Sequence, residues 1–443
     1  MTDELKQYAY EHRHDFDRLV EFKSVSAKKS ELPETAAWIA DTFRDLGAQE
    51  VEKWTDFGED NPVVFASFKG QNQDKTILFY NHYDVQPAEP FDEWKTEPFK
   101  VTEKDGFFYG RGISDDKGEL MYRLTLLKYY REHGGLPVNV KFFVEGEEEV
   151  GSLRTPKYAE KHSEQLSCDA CVWEGGGYNN MDHYQVVGGL RGIISFDVEV
   201  TTADVDMHSS LASYAESAPW RLVKGLSSLR DTNGHILIDG FYDTVDKMSP
   251  EEEKLAEEQD FNLENAKKAA GLRRTVNDYN PLKELVNMPT ISINGLSAGY
   301  QGTGVKTVIP RHASAKLDCR LSPHQDPEKM MQLVREQLVK NGFPDLEVHM
   351  NLGEPGYRAD VNDEFVKLAM DEAKKYYGPE TKYVLNAAGG GPADMVNTLG
   401  VPTLSIGCGY AGAKVHGPNE NIRVKDYTDS VQYLGNLLNA YGK

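Results

Sequence analysis

Histidine and carboxylate side chains recur at five places along the chain, each just beyond a short hydrophobic run. The carboxyl ends of strands are where an α/β sheet presents side chains to a ligand crevice. Carboxylates gathered in one place repel one another unless cations hold them. Two histidines with several carboxylates suit a pair of zinc- or manganese-like ions, so the set predicts a two-metal hydrolase. The residues are His82 and Asp84, Asp115 and Asp116, Glu148 and Glu149, Glu174, and His416.

Two of these places hold pairs of side chains that can divide the work. On an extended segment, residues two apart lie on the same side, so Asp84 can hydrogen-bond one ring nitrogen of His82 while the other nitrogen binds a metal. Glu148 and Glu149 follow a strand predicted over 138–144, where one glutamate can ligate and its neighbour can accept a proton from a metal-bound water. A capped turn with a surface histidine and a solvated acidic loop are the ordinary alternatives.

Asp115 and Asp116 follow a Gly-Arg-Gly turn and open a helix predicted over about 117–133. Aspartate is common at a helix N-terminus, where it accepts hydrogen bonds from free backbone N–H groups, and this is the alternative to metal binding. A carboxylate can bridge two cations with its two oxygens, so Asp115 is the candidate bridge and Asp116 the candidate anchor of the loop. Glu174 and His416 would be ordinary loop residues on their own, and their significance depends on the whole set.

Composition and charge limit the classes of function. The 443 residues are 39% hydrophobic and 27% charged, as in a soluble globular protein, and are too many for one ordinary core. A net charge of −22 argues against nucleic acid or an anionic membrane as the partner. The N-terminus lacks an apolar secretory segment, and no apolar run approaches the length of a membrane span. The four cysteines, including Cys168 and Cys171 beside a predicted strand, do not make a disulfide framework, so we expect a cytoplasmic protein.

The order of hydrophobic runs predicts an α/β fold. Nearly all-apolar runs over 76–80 and 138–144 are typical of strands covered on both faces, and the helix predicted between them makes a βαβ unit. We therefore expect a mixed, mostly parallel sheet flanked by helices.

The pattern changes near residue 188, where stricter alternation of polar and apolar residues is typical of half-exposed strands. The first pattern resumes after about residue 357. We predict a discontinuous catalytic, metal-binding domain over 1–187 and 357–443, interrupted by an inserted α+β domain over 188–356. A charged stretch within the insertion, 249–268, is predicted to be a solvated helix or loop.

The motifs resemble those of the M20 family of metallopeptidases, in particular the carnosinase-like cytosolic dipeptidases. The matching segments follow the family's order between about residues 82 and 420, and together they are highly specific. They are 81–88 (NHYDVQPA), 109–118 (YGRGISDDKG), 145–152 (EGEEEVGS), 206–210 (DMHSS), 307–311 (TVIPR) and 416–420 (HGPNE).

The resemblance implies two bound metal ions, usually zinc and sometimes manganese or cobalt. Glu148 would be the general acid/base, Asp84 would orient His82, and the Asp115–Asp116 peptide would be cis. The implied ligands are His82 and Glu174 for one ion, Glu149 and His416 for the other, and Asp115 as the bridge between them.

The resemblance also implies residues that act on the substrate. His208 would reach the active site of a partner subunit and stabilise the tetrahedral oxyanion, so the inserted domain would be both lid and homodimer interface. Arg320, at the end of an alternating strand, resembles the arginine that binds the substrate's C-terminal carboxylate, although a surface salt bridge is the alternative. Gly390 and Gly391 belong to a glycine turn whose backbone N–H groups would approach the same carboxylate.

Two features depart from the carnosinase-like pattern. Those dipeptidases usually have aspartate where this chain has Glu174, and glutamate is commoner among M20 carboxypeptidases and deacylases. The glycine turn also lacks the serine often found near Gly391. Both acids can ligate, so these departures concern the substrate more than the metals.

We therefore predict a cytosolic dinuclear metallopeptidase that cleaves dipeptides or the C-terminal residue of short peptides. The main alternative is a deacylase that removes an acyl or succinyl group from an amino acid with the same site. A catalytically inactive M20-like scaffold would lack a ligand or the general base, and neither is missing. A nucleic-acid binder is disfavoured by the charge of −22.

Overall fold

A large mixed β-sheet covered by helices on both faces dominates the protein. The computed structural model describes residues 3–276, 282–386 and 393–443. The strands are β1 (Glu50–Trp54), β2 (Val63–Phe68), β3 (Gly70–His82), β4 (Thr102–Lys104), β5 (Phe107–Tyr109), β6 (Leu136–Glu145), β7 (Ala170–Trp173), β8 (Gly177–Tyr178), β9 (Tyr184–Leu190), β10 (Gly192–Thr201), β11 (Met207–His208), β12 (Thr290–Ala298), β13 (Val308–Ile309), β14 (His312–Leu321), β15 (Glu347–Glu354), β16 (Tyr357–Arg358), β17 (Lys382–Leu385), β18 (Thr403–Ser405), β19 (Gly409–Tyr410) and β20 (Asn421–Arg423).

The helices are α1 (Glu4–Glu11), α2 (Arg18–Glu21), α3 (Leu32–Asp45), α4 (Lys117–Glu132), α5 (Thr155–Lys161), α6 (Ser163–Leu166), α7 (Ala218–Ser227), α8 (Pro250–Glu257), α9 (Leu263–Ala270), α10 (Leu282–Asn287), α11 (Pro327–Lys340), α12 (Glu364–Tyr377), α13 (Ala393–Leu399) and α14 (Val424–Tyr441). Each of them is too short or too polar to cross a lipid bilayer.

The large sheet has the strand order β1-β2-β6-β3-β7-β18-β9-β8-β19, and β16 and β17 also pair with β9. Its central pairs, β6–β3, β3–β7 and β7–β18, are parallel, whereas β1–β2 and β2–β6 are antiparallel. The predicted mixed sheet with helices on its faces is therefore confirmed. Parallel central strands bring their carboxyl ends to one edge, which is where the candidate ligands follow in the chain.

Strand β3 shows why its sequence is apolar on both sides. Ile77 and Phe79 pack into the core formed with α3, α4 and α14, whereas Leu78 and Tyr80 point into a second core beneath α5 and α13. Because successive side chains of a strand alternate between faces, a strand covered by helices on both sides needs a continuous apolar run. Cys171 lies buried in the neighbouring strand β7, as expected from the sequence, and all four cysteines are free thiols.

A small antiparallel sheet forms a second structural unit from the middle of the chain. Its order is β12-β14-β10-β15, and α7 and α11 pack on it. Its strands alternate buried and exposed residues, as predicted, and Phe196 and Leu317 lie at the centre of a separate hydrophobic core.

The charged stretch 249–268 is largely exposed, in agreement with the predicted solvated helix or loop. It does form helices α8 and α9, and a capping box at Ser249 starts α8. However, Ala256 is fully buried, and Leu255 and Phe261 pack against the core of the large sheet. The apolar residues are too few to give a strong period, so the charges masked the buried face.

Candidate metal centre

Three of the predicted ligand positions lie at the carboxyl edge of the large sheet. His82 is the last residue of β3, Glu174 directly follows β7, and Glu148 and Glu149 follow β6 on a short 3₁₀ turn. The three strands are parallel neighbours in the order β6-β3-β7. The sequence prediction that hydrophobic runs deliver these side chains to one sheet edge is confirmed.

The other two positions do not lie at ends of strands in the large sheet, contrary to the sequence argument. Asp115 lies between β5 and α4, and His416 lies in the loop before β20. Strands β5 and β20 pair antiparallel in a separate three-stranded sheet, β20-β5-β4. This pairing brings the two loops together, and the sequence offered no periodic signal for strands only three residues long.

Asp115 stands between two histidines that come from distant parts of the chain. Its Oδ1 lies 2.9 Å from His82 Nε2, and its Oδ2 lies 3.0 Å from His416 Nε2. His82 Nε2 is also 3.2 Å from Glu174 Oε2, and His416 Nε2 is 3.1 Å from Glu149 Oε2. The result is two triads that share one carboxylate: His82, Asp115 and Glu174, and Asp115, Glu149 and His416.

The donor and acceptor atoms of His82 fit a metal ion. Its Nδ1 lies 3.1 Å from the backbone oxygen of Asp84 and 3.3 Å from Asp84 Oδ1, both acceptors, so Nδ1 holds the proton. The lone pair of Nε2 then faces carboxylate oxygens, which also have only lone pairs to offer. Within the described residues, the buried Oε2 of Glu174 has no hydrogen-bond donor. A cation between these atoms would satisfy all of them.

The electrostatics of the cluster also favour positive charge. Hydrogen bonds to Asp115 and Glu149 raise the pKa of His416 to about 10. Burial disfavours the charged form of His82, but Glu174 and Asp115 outweigh it and raise the His82 pKa well above its usual value. Protons and metal ions therefore compete for the same nitrogen atoms.

Asp84 does more than the sequence suggested. It lies beside the His82 ring as expected, but its carboxylate also accepts the backbone N–H groups of Glu148 (3.2 Å) and Glu149 (3.0 Å). It therefore links the end of β3 to the loop after β6. Asp116 accepts hydrogen bonds from Asn81 Nδ2 and from the His82 N–H, and the Asp115–Asp116 peptide is cis.

A cavity of about 730 Å³ opens beside the cluster. Glu148 lies on its wall, where burial raises the pKa of the carboxyl group to about 7. Farther along, the wall combines apolar residues with uncharged polar side chains. Among the described residues, no lysine or arginine lines the cavity. The polar wall includes Tyr178, Asn179, Gln185, Asn386 and Tyr410.

Neither Arg320 nor His208 lines this cavity. Arg320, in β14, pairs with Ile193 of β10 and Thr290 of β12 in the small sheet. His208 is exposed on the short strand β11, and its ring contacts Ser210 Oγ (2.9 Å) and Thr307 Oγ1 (3.3 Å). Gly390 and Gly391 lie outside the described residues.

Two buried residues near the cluster were not singled out from the sequence. Glu420 accepts the N–H groups of Gly112, Ser114 and Asp115 at 2.9–3.1 Å. It also pairs with Arg111 at 2.6 Å. A buried acid two residues after a His-Gly-Pro segment gives no periodic signal, so only a search for partners of the Gly-Arg-Gly turn could have indicated it.

The comparisons with known proteins agree with this geometry. Residues 78–440 match the peptidase family M20/M25/M40. The chain is 32% identical over 355 residues to the Beta-Ala-His dipeptidase of Rattus norvegicus, covering 75% of this chain and 72% of that protein. It is also 32% identical over 348 residues to a Cys-Gly metallodipeptidase of Schizosaccharomyces pombe, covering 73% and 71%.

A solved structure extends the likeness over nearly the whole fold. The M20 family metallo-carboxypeptidase Sso-CP2 from Sulfolobus solfataricus superposes with a TM-score of 0.87 at 36% identity, covering 98% of this chain and 99% of that one. Sequence and fold thus agree with the two triads around Asp115, and the chain belongs to peptidase family M20/M25/M40 as an M20 metallopeptidase.

Proposed function

We propose that the protein hydrolyses the amide bond of dipeptides, or the bond before the C-terminal residue of short peptides, with two divalent metal ions. The observation that supports this most directly is Asp115, whose two oxygens each face a different histidine–carboxylate pair. His82 and Glu174 would hold one ion, Glu149 and His416 the other, and Asp115 both. Nitrogen and oxygen ligands suit zinc, and manganese or cobalt also accept them.

When bound, such a pair of ions polarises a carbonyl oxygen and lowers the pKa of a water molecule. The chain's own residues then handle the protons. Glu148 lies on the cavity wall with a pKa near neutrality, so it can take a proton from the attacking water as the new C–O bond forms. It then delivers that proton to the amine nitrogen as the C–N bond breaks. Asp84 keeps the Nε2 of His82 directed at the metal position.

Glu148→Ala should separate chemistry from metal binding. We expect two metal ions per chain to remain while kcat falls by about 10²–10⁴-fold, because only the proton carrier is lost. Glu149→Ala is the matched neighbour and should weaken metal binding itself. The measurements are elemental analysis and peptide turnover on the same samples. Retained turnover in Glu148→Ala would remove this residue from the mechanism.

The named relatives support a peptide substrate. Two are dipeptidases and the solved structure is a metallo-carboxypeptidase. These activities share a substrate with a free C-terminal carboxylate. The cavity wall offers no lysine or arginine among the described residues, so we propose that Arg320 supplies the carboxylate contact when the small sheet approaches, together with the backbone of Gly390 and Gly391.

A substrate panel distinguishes this proposal from a deacylase. Dipeptides and short peptides with free C-termini should be cleaved, and the matching C-terminal amides should be cleaved more slowly because they lack the carboxylate. N-acetyl and N-succinyl amino acids should be poor substrates. The assay measures release of the free amino acid by chromatography. Faster cleavage of the N-acyl amino acids would establish a deacylase instead.

We further propose that the predicted insertion, 188–356, is lid and homodimer interface. Strand β12 is an edge of the small sheet and exposes Ile293 and Leu296, while α7 exposes Trp220 and Val223. Exposed apolar residues of this size, and an edge strand that is unpaired among the described residues, are typical of a protein–protein interface. His208 would then act on the partner's site. A cytoplasmic location stays a prediction.

Mixing two inactive variants tests this role of His208. His208→Ala and Glu148→Ala should each be inactive alone, but a mixed dimer contains one site with both residues intact if His208 acts across the interface. Random re-association after mild dissociation should then restore about a quarter of the wild-type activity, since half the dimers are mixed and each has one complete site. No recovery, with mixed dimers shown to form, would place His208 within its own subunit, and full activity of His208→Ala alone would place it outside the reaction.

A further inference from the structure

We propose that two buried arginine–glutamate pairs position the two metal ions separately. The inner pair is Arg123 with Glu119, and the outer pair is Arg111 with Glu420. Arg111, Arg123, Glu119 and Glu420 are all at most 1% exposed, although none of them is a predicted ligand. The proposal rests on the dinuclear site of the proposed function and assigns a metal position to each pair.

The inner pair acts where the backbone ladder between two ligand strands ends. The last paired residues of β3 and β7 are Phe79 and Val172. Beyond them, Arg123 Nη1 donates to the backbone oxygen of Tyr80 (2.5 Å), and Nη2 donates to that of Trp173 (2.7 Å). One guanidinium therefore fixes the separation of the two strand ends after their own hydrogen bonds stop.

This contact affects the ion that His82 and Glu174 would hold. Tyr80 lies two residues before His82, and Trp173 directly precedes Glu174. Glu119, which pairs with Arg123 at 3.4 Å, also accepts the N–H of Gly175 on the other side of Glu174. The inner pair thus holds the backbone on which both unshared ligands of the first triad stand.

The outer pair acts on the second triad through one of its unshared ligands, His416, and through the loop that carries Asp115. Strands β5 and β20 pair as far as Tyr109 and Asn421, and the Gly110 N–H still donates to the backbone oxygen of Glu420 (3.2 Å). Glu420 gathers the N–H groups of the Asp115 loop, and Arg111 Nη2 donates to the backbone oxygen of His416 at 3.1 Å. This pair therefore sets the distance between His416 and the shared carboxylate.

Lysine is the substitution that tests the idea, because it keeps the charge but lacks the planar fork that reaches two carbonyls at once. Substitution of a residue that supports a metal ligand typically lowers metal affinity by about 10–100-fold. Arg123→Lys should lower the affinity for the ion at His82 and Glu174 by about that factor, and should lower the affinity for the other ion less. Arg111→Lys should lower the affinity for the ion at Glu149 and His416 more than the affinity for the ion at His82 and Glu174.

Arg191→Lys is the matched control. Arg191 is also buried and donates to three backbone carbonyls, those of Leu321, Leu285 and Met288, but these belong to the small sheet and to the α10 region. Its substitution should reduce the stability of the fold without changing the affinity for one ion more than for the other. Unfolding temperatures of all variants in chelator report the purely structural cost.

Each variant is equilibrated with buffered zinc over a range of free concentrations, and bound zinc per chain is measured. Anomalous difference maps of zinc-grown crystals show which position has lost occupancy. Opposite losses in Arg123→Lys and Arg111→Lys support the proposal. Unchanged binding, or equal loss of both ions as in a general destabilisation, overturns it.

Two further results keep the test decisive. If Arg123→Lys does not fold, Glu119→Gln takes its place, because an amide oxygen is a weaker acceptor for Arg123 Nη2 and the Gly175 N–H, and this variant should lower the affinity for the same ion. If the wild-type protein itself fails to bind two ions, the proposed function fails, and that outcome is distinct from equal loss in the variants.

Discussion

The cost of placing like charges together governs this structure. Asp115, Glu148, Glu149 and Glu174 converge with two imidazole rings at one edge of a parallel sheet. Without a cation or bound protons, these carboxylates would repel one another in a partly desolvated site. The fold tolerates the arrangement because rigid strands and buried ion pairs fix the backbone, so that the side chains cannot move apart and relax the repulsion.

The sheet and the loops solve different parts of this problem. Parallel strands β6, β3 and β7 bring three acidic or histidine positions to one edge, since parallel carboxyl ends meet there. The remaining candidate ligands stand on loops that a separate three-stranded sheet joins, with β5 and β20 pairing across some 300 residues of chain. Asp115 belongs to the second group but faces residues of both, so the shared carboxylate is also the junction between the two supports.

Much of this was predictable from the sequence because strong local signals coincide with the chemistry. The all-apolar runs around Phe79 and Phe142 indicated buried strands, and the acids after them indicated the crevice edge. Such sequence signals were absent where contacts between distant parts of the chain determine the position of a residue. Nothing local to Glu420 indicates that it would gather the N–H groups of the Asp115 loop, and the charges around Ala256 concealed a face that packs on the large core. Arg123 was likewise hidden, because a buried arginine in a helix resembles a surface arginine until its carbonyl partners are known.

We propose that the Asp115 carboxylate couples two metal positions, and the substitution Asp115→Ala removes that coupling. Zinc binding to this variant and to the wild-type protein is compared by equilibrium dialysis, with apo-protein unfolding as the check on folding. We expect about two ions per wild-type chain and a loss of affinity for both in the variant, because the bridge of a two-metal site serves both ions. A variant that keeps either ion at wild-type affinity would contradict it.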